Sequence, residues 1–323
     1  MISRPIQRLL INMNEEIREL TIEENRPPDS PDALPFPFNQ RNFCRYEPIE
    51  KHIETARVLV VDNLLRNADD LSEVGRKEWG DDTDIEIKRE RTIAELAVEN
   101  ILNNIARLVK EPVTEVTPLA ELPAAAEAFH PDAIVLSGTL RDFDFYQPSI
   151  IENFGSFIRT TKTPVLAICG GHQLVGLSFG AQVITLDRLE QHEQRVNRPS
   201  EYQYRFVRIT EPQDPIFTGI CSAQSDVWQQ YTAPPRVLRV WQNHGLQLDS
   251  VPDGFKLLAT SYLCRNQMMV RRSDGQLIYT VQFHLEKSFE DWNKSRTRWE
   301  HQNESRDGRI LFENFLELAL AHR

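Results

Sequence analysis

Several things are missing from this sequence, and each absence closes off a class of function. No run of 18 or more apolar residues occurs in its 323 positions, so a membrane-crossing helix is not expected. The N-terminus, MISRPIQRLLINMNEEIREL, carries acidic residues where a secretory leader would hold an unbroken apolar stretch. Basic side chains are outnumbered, 37 against 48 acidic ones, and the formal charge of -11 argues against a nucleic acid or an anionic membrane as the main partner. Cysteine is scarce: Cys44, Cys169, Cys221 and Cys264 are widely spaced without a CxxC pair, which suits neither a zinc site nor a disulfide framework. The eight histidines, including His52, His130, His192 and His301, show no ligand spacing, so no metal is expected. No GxGxxG follows the first apolar run at Asp62 and Asn63, and there is no GxxxxGK(S/T) or SGGxDS loop, so no nucleotide cofactor is expected either. Together these absences predict a soluble, cytoplasmic protein.

What is present has a clear order. Residues 26–37, RPPDSPDALPFP, hold five prolines in twelve positions and cannot form a helix or a central strand. They divide an N-terminal extension (1–52), in which Ile6, Leu9, Leu10, Met13, Ile17 and Leu20 recur at helical spacing, from a main domain over 53–323. The runs ARVLVVDN (56–63), DAIVLSG (132–138) and TPVLAICG (163–170) read as strands buried on both faces. Between the first two, Ile93, Leu96, Ala97, Ile101, Ile105 and Leu108 mark one face of a helix over 92–110. Strand and helix in alternation predict an α/β fold with a mainly parallel sheet covered on both faces. Later segments at 204–210, 236–242, 255–261, 268–272 and 277–284 follow one another across short turns, which predicts an antiparallel extension of that sheet. The stretch 308–322 closes the domain as an amphipathic helix, while 64–91 and 287–307 read as loops or insertions.

One stretch carries chemistry. In PVLAICGGHQLVGLSFGAQV (164–183) an apolar strand runs into Cys169, two glycines follow, and a short helical pattern ends at Gly180, which stands where a helix C-cap belongs. This is the grammar of a nucleophile elbow, a tight strand-to-helix turn that lifts one side chain above the sheet. A strand-end cysteine is also commonly buried and inert, and this stretch by itself leaves both readings open. A thiolate attacking an amide needs a base to protonate the departing amine, and the base needs a third group to fix its tautomer. At the end of the last expected strand, VQFHLEKS (281–288) offers His284 and Glu286, whose side chains leave an extended chain on the same face.

The motifs LSGT (136–139), CGGHQ (169–173), QNHGLQLDSVPDGF (242–255) and VQFHLE (281–286) occur in an order and spacing that resemble the class I glutamine amidotransferases. The similarity is greatest to the glutaminase parts of carbamoyl phosphate synthetase and GMP synthase, and it covers roughly residues 56–320. The resemblance implies a flavodoxin-like sheet and no cofactor. It makes Cys169 the nucleophile, His284 the acid and base, and Glu286 the residue that orients His284. It places an oxyanion hole at the N–H groups of Thr139 and Gly170, and substrate contacts at Gly138, Gln173, Asn243, Gly245 and Leu246. His244 is then structural. The implied substrate is glutamine or a γ-glutamyl compound, and the implied partner is a separate synthetase that accepts ammonia. A free-standing γ-glutamyl amide hydrolase or peptidase would use the same groups, and a pseudo-enzyme acting as a binding module is a further alternative. The sequence departs from the family at Ala167 and Thr139, usually glycines, and at Leu285, usually proline.

Overall fold

Apolar runs without polar interruption need cover on both faces, and in the computed structural model of this protein each of them lies inside one large sheet. Residues 50–220, 237–287 and 306–322 are described. The expected N-terminal helix and proline-rich linker, Cys44, Cys221 and most of the 287–307 segment lie outside them. In chain order the elements are β1 (Ile53–Asp62), α1 (Glu73–Trp79), α2 (Thr83–Leu108), β2 (Val109–Pro118), α3 (Leu122–Phe129), β3 (Ala133–Leu136) and α4 (Pro148–Thr160). Then come β4 (Val165–Ile168), α5 (Gly170–Ser178), β5 (Val183–Thr185), β6 (Glu201–Ile209), β7 (Val237–His244), β8 (Leu246–Leu248) and β9 (Phe255–Thr260). The last are β10 (Met268–Arg271), β11 (Ile278–Val281) and α6 (Arg306–Ala321).

The sheet runs β2-β1-β3-β4-β11-β10-β9-β6-β7. Its first five strands are parallel, with β4 flanked by β3 and β11. The rest form the antiparallel extension that the short turns predict, except that β11, expected within it, pairs parallel with β4 and antiparallel only with β10. Strands β5 and β8 pair separately. Alternate residues of the parallel strands feed two cores. On one face Val58, Val60, Val135 and Ile168 pack with Ile101, Ile105 and Leu108 of α2 and with Phe312 and Phe315 of α6. On the other, Leu59, Val61 and Leu136 pack with Leu122 of α3, Phe154 and Ile158 of α4, and Leu174 of α5. Burying each such side chain contributes about 1.5–3 kcal/mol.

Two regions differ from the sequence reading. Residues 64–91 are largely helical, and α2 starts at Thr83 rather than 92. The charges that hide this periodicity are spent inward: Glu90 is fully buried and meets Arg141 at 2.6 Å, and Arg91 meets Asp62 at 2.6 Å. Strand β2 goes unrecognised in VKEPVTEVTP because it is an exposed edge, protected by charge and proline instead of marked by apolar alternation.

Candidate active site

Parallel strands gather their carboxyl ends along one rim, and Cys169 stands there directly after β4. Its φ of 51° and ψ of -106° are a conformation that a non-glycine residue holds at a cost of about 1–3 kcal/mol. Bonds on both sides enforce it: the Cys169 N–H donates to the Val281 carbonyl at 2.7 Å, and its carbonyl accepts from Gln173 N–H at 3.1 Å as the first bond of α5. The sulfur therefore sits at a helix N-terminus, among N–H groups without intrahelical partners. Helix α5 ends as the sequence suggests, with Gly180 just beyond it at φ 97°.

The turn after β3 passes against this elbow. A Cβ on Gly170 would overlap the amide nitrogen and hydroxyl of Thr139, so the two peptide groups adjoin only because residue 170 is glycine. A Cβ on Gly138 would lie 3.5 Å from both the Cys169 Cβ and the His284 Cε1, which puts cysteine and imidazole on either side of one backbone position. The turn is held from below, where Asn63 N–H donates to Ser137 Oγ at 3.0 Å and Ser137 N–H to the Val61 carbonyl at 3.0 Å.

Strand β11 stops at Val281, so His284 and Glu286 are not in a continuous extended run. His284 is pinned by its N–H to the Trp241 carbonyl at 2.8 Å, and the chain then turns. Even so, the side chains meet: His284 Nδ1 is 2.7 Å from Glu286 Oε1. Asn104 of α2 anchors that turn, donating from Nδ2 to the Glu286 carbonyl at 2.7 Å. Burial is the largest single influence on His284 and works to lower its pKa. The Glu286 carboxylate and the Cys169 sulfur, each also hydrogen-bonded to the ring, outweigh it and push the pKa up to about 10. Burial acts on Glu286 in the opposite sense, yet the adjoining imidazolium, helped by Lys287, holds the carboxyl below its usual range.

These groups face a cavity of about 470 Å³. Cys169, His284 and Glu286 line it, and so do Gly138, Thr139 and Gln173. Asn243, Gly245 and Leu246, from the end of β7 and the start of β8, complete that wall. The structure thus brings together every site residue expected from the sequence, with Gly170 just behind Thr139. Gln173 Nε2 is already engaged, donating to the Leu246 carbonyl and to Gln282 Oε1, both at 3.0 Å. Gln282 is a residue that sequence reasoning passes over, although it stands inside VQFHLE; its Nε2 lies 3.7 Å from Cys169 Sγ. His172 faces away from the cavity and is fully buried, with Nδ1 2.7 Å from Thr280 Oγ1, and burial together with the neighbouring His244 pushes its pKa down to about 3.

The opposite wall could not be read from motifs. Ile93 and Leu96 of α2, expected to face the core, are 40% and 58% exposed at the cavity mouth, because the first half of α2 overhangs the strand ends. Beside them Arg195 pairs with Asp142 at 2.6 Å and Glu78 at 2.9 Å, and Arg198 pairs with Asp142 at 2.8 Å. Arg195 also pairs with Asp144.

The sequence pattern of the family described as Glutamine amidotransferase class-I matches residues 96–301, well over half of the chain. The chain belongs to the class-I glutamine amidotransferase family. Its relatives include a protein of Pyrococcus abyssi named as a glutamine-hydrolyzing GMP synthase subunit, 32% identical over 54% of this chain and 74% of that protein. The protein of the same name from Methanothermobacter thermautotrophicus is 26% identical over 66% of this chain and 86% of its own length. A solved glutamine amidotransferase from Thermotoga maritima aligns at 17% identity over 82% of this chain and 98% of its own, with a TM-score of 0.45. As a member of this family the chain is a cysteine-dependent glutamine amidotransferase. Among the described residues no helix is long and apolar enough to cross a membrane.

Proposed function

We propose that Cys169, His284 and Glu286 hydrolyse the side-chain amide of glutamine and that the ammonia passes to a synthetase. The observation that carries this reading is the His284 ring, held by Glu286 at 2.7 Å and set beside Cys169 across Gly138 at the head of one cavity. The Cys169 thiolate attacks the amide carbon, and the carbonyl oxygen becomes an oxyanion. The N–H groups of Gly170 and Thr139 receive that charge, each worth about 3 kcal/mol in the barrier. His284, as imidazolium, gives its proton to the nitrogen, the C–N bond breaks, and ammonia leaves a glutamyl thioester. His284 then takes a proton from water, whose oxygen attacks the thioester, and glutamate and thiol are released. Glu286 keeps the Nδ1 proton in place through both steps. Gly138, Gln173, Asn243, Gly245 and Leu246 hold the glutamine.

The archaeal relatives named for GMP synthase support a synthetase as the receiver of ammonia. The N-terminal 52 residues and the 287–307 segment are proposed as its docking regions. A second reading, hydrolysis of a γ-glutamyl amide without channelling, is favoured by one observation: Ile93 and Leu96 offer an apolar mouth that suits an apolar amine. A glutamine-derived diazo-ketone tests the site, since labelling is expected at Cys169 and is expected to disappear in Cys169→Ser. Labelling at Cys264 would defeat the assignment. Glutamine turnover that is slow alone and rises when a synthetase and its acceptor are added supports ammonia transfer; full turnover of γ-glutamyl amides by the isolated protein supports the second reading.

A further inference from the structure

Behind the wall of the catalytic cavity, which His244 also lines, the described residues hold one cluster of metal-ligating side chains. Glu201 and His244 are direct partners in the β6–β7 register, so their side chains leave the sheet together. The turn between β9 and β10, closed by Ser261 N–H donating to the Cys264 carbonyl at 2.9 Å, delivers Cys264 to the same place. One ligand atom from each of the three lies within 4.8 Å of the others, and all three residues are buried.

The hydrogen bonds around His244 say what kind of species belongs there. Its Nδ1 is 2.9 Å from the Leu246 carbonyl, which can only accept, so Nδ1 carries the proton. Nε2 is buried and without a hydrogen-bond partner, and it faces the Glu201 Oε2 atom at 3.1 Å. A positive charge between these two atoms, a proton or a metal ion, satisfies both. Cys264 adds a third donor, because its thiol proton points to the Asn266 carbonyl at 3.4 Å and the remaining sulfur lone pairs stay free. A proton serves Glu201 and His244 alone, whereas a metal ion also takes the Cys264 sulfur, which lies within 4.8 Å of both.

We propose that Glu201, His244 and Cys264 bind one divalent zinc-type cation. A mixed nitrogen, sulfur and oxygen donor set is the kind zinc takes. The surroundings also match a metal site, since a ligating histidine ordinarily gives its other N–H to a carbonyl, and a ligating carboxylate is itself hydrogen-bonded. Glu201 accepts from Gln267 Nε2 at 2.8 Å and from Ser261 Oγ at 3.2 Å. On binding, the zinc–sulfur bond forms as the Cys264 proton leaves to solvent, with no change of oxidation state. The ion would fix the cavity wall through Leu246, whose carbonyl takes hydrogen bonds from both His244 and Gln173.

The full chain, purified without chelators, is expected to carry about one zinc per molecule by elemental analysis. Replacing zinc with cobalt(II) is expected to give a near-ultraviolet thiolate-to-cobalt charge-transfer band. Cys264→Ser should abolish the band, Glu201→Gln should lose stoichiometric metal, and Cys169→Ser should keep both. Folded wild-type protein that holds no zinc and gives no cobalt band overturns the proposal. So does a band that survives Cys264→Ser and disappears in Cys169→Ser, which would place the metal in the catalytic cavity.

Discussion

Glu286 is the residue whose replacement separates orientation from nucleophilicity. Glu286→Gln keeps the volume but removes the charge that raises His284, so glutamine turnover is expected to fall by about 10³-fold or more while Cys169 labelling falls much less. Equal loss of both in steady-state and labelling assays would contradict the proposed division of roles. The pair also predicts a pH dependence of stability. A histidine raised to about 10 on folding stabilises fully below its ordinary value of 6.5, and that contribution is lost as pH rises through 10. A carboxyl lowered on folding contributes above its ordinary value of 4.5 and loses its contribution as pH falls below it. The stability gap between wild type and Glu286→Gln in urea unfolding is therefore expected to be largest near pH 6 and smaller at pH 10. At Gly170 the argument is steric: Gly170→Ala must push Thr139 away, so turnover is expected to drop by about 10²-fold or more while iodoacetamide still alkylates Cys169.

Among the elements, α2 does two jobs with its two halves. Its C-terminal half buries Ile101, Ile105 and Leu108 in the core, as the sequence periodicity predicts. Its N-terminal half carries Ile93 and Leu96 over the cavity, where periodicity alone points them inward. Serine at both positions is expected to leave the urea midpoint nearly unchanged, since neither side chain is buried, and to alter the response to a synthetase or to an apolar γ-glutamyl amide. Asn104 joins the halves to the site. Asn104→Leu leaves the Glu286 carbonyl without its donor and is expected to cost about 1–3 kcal/mol in urea unfolding and to reduce turnover. A variant that is destabilised yet fully active would show that α2 supports the fold without positioning Glu286.

For the molecule as a whole, both cores and the nine-stranded sheet draw, among the described residues, on residue 53 onward. A chain starting at residue 50 is therefore expected to keep a cooperative thermal transition and Cys169 labelling; loss of either would assign a folding role to the first 49 residues. The sequence by itself determined the strand order of chemistry: an elbow needs glycine beside its nucleophile and a base needs its acid nearby, so CGGHQ and VQFHLE are written in contiguous residues. Strands buried on both faces are legible for the same reason, because nothing but apolar side chains fits there. Only the tertiary structure decided what depends on distant segments meeting. Residues 169 and 284 come together because β4 and β11 are neighbours in the sheet despite 115 intervening steps. The edge strand β2, the overhang of α2 and the approach of Gln282 to Cys169 leave no local pattern. Glu201, His244 and Cys264 stand 43 and 20 positions apart, a spacing no ligand motif has, and they meet through strand register and one turn.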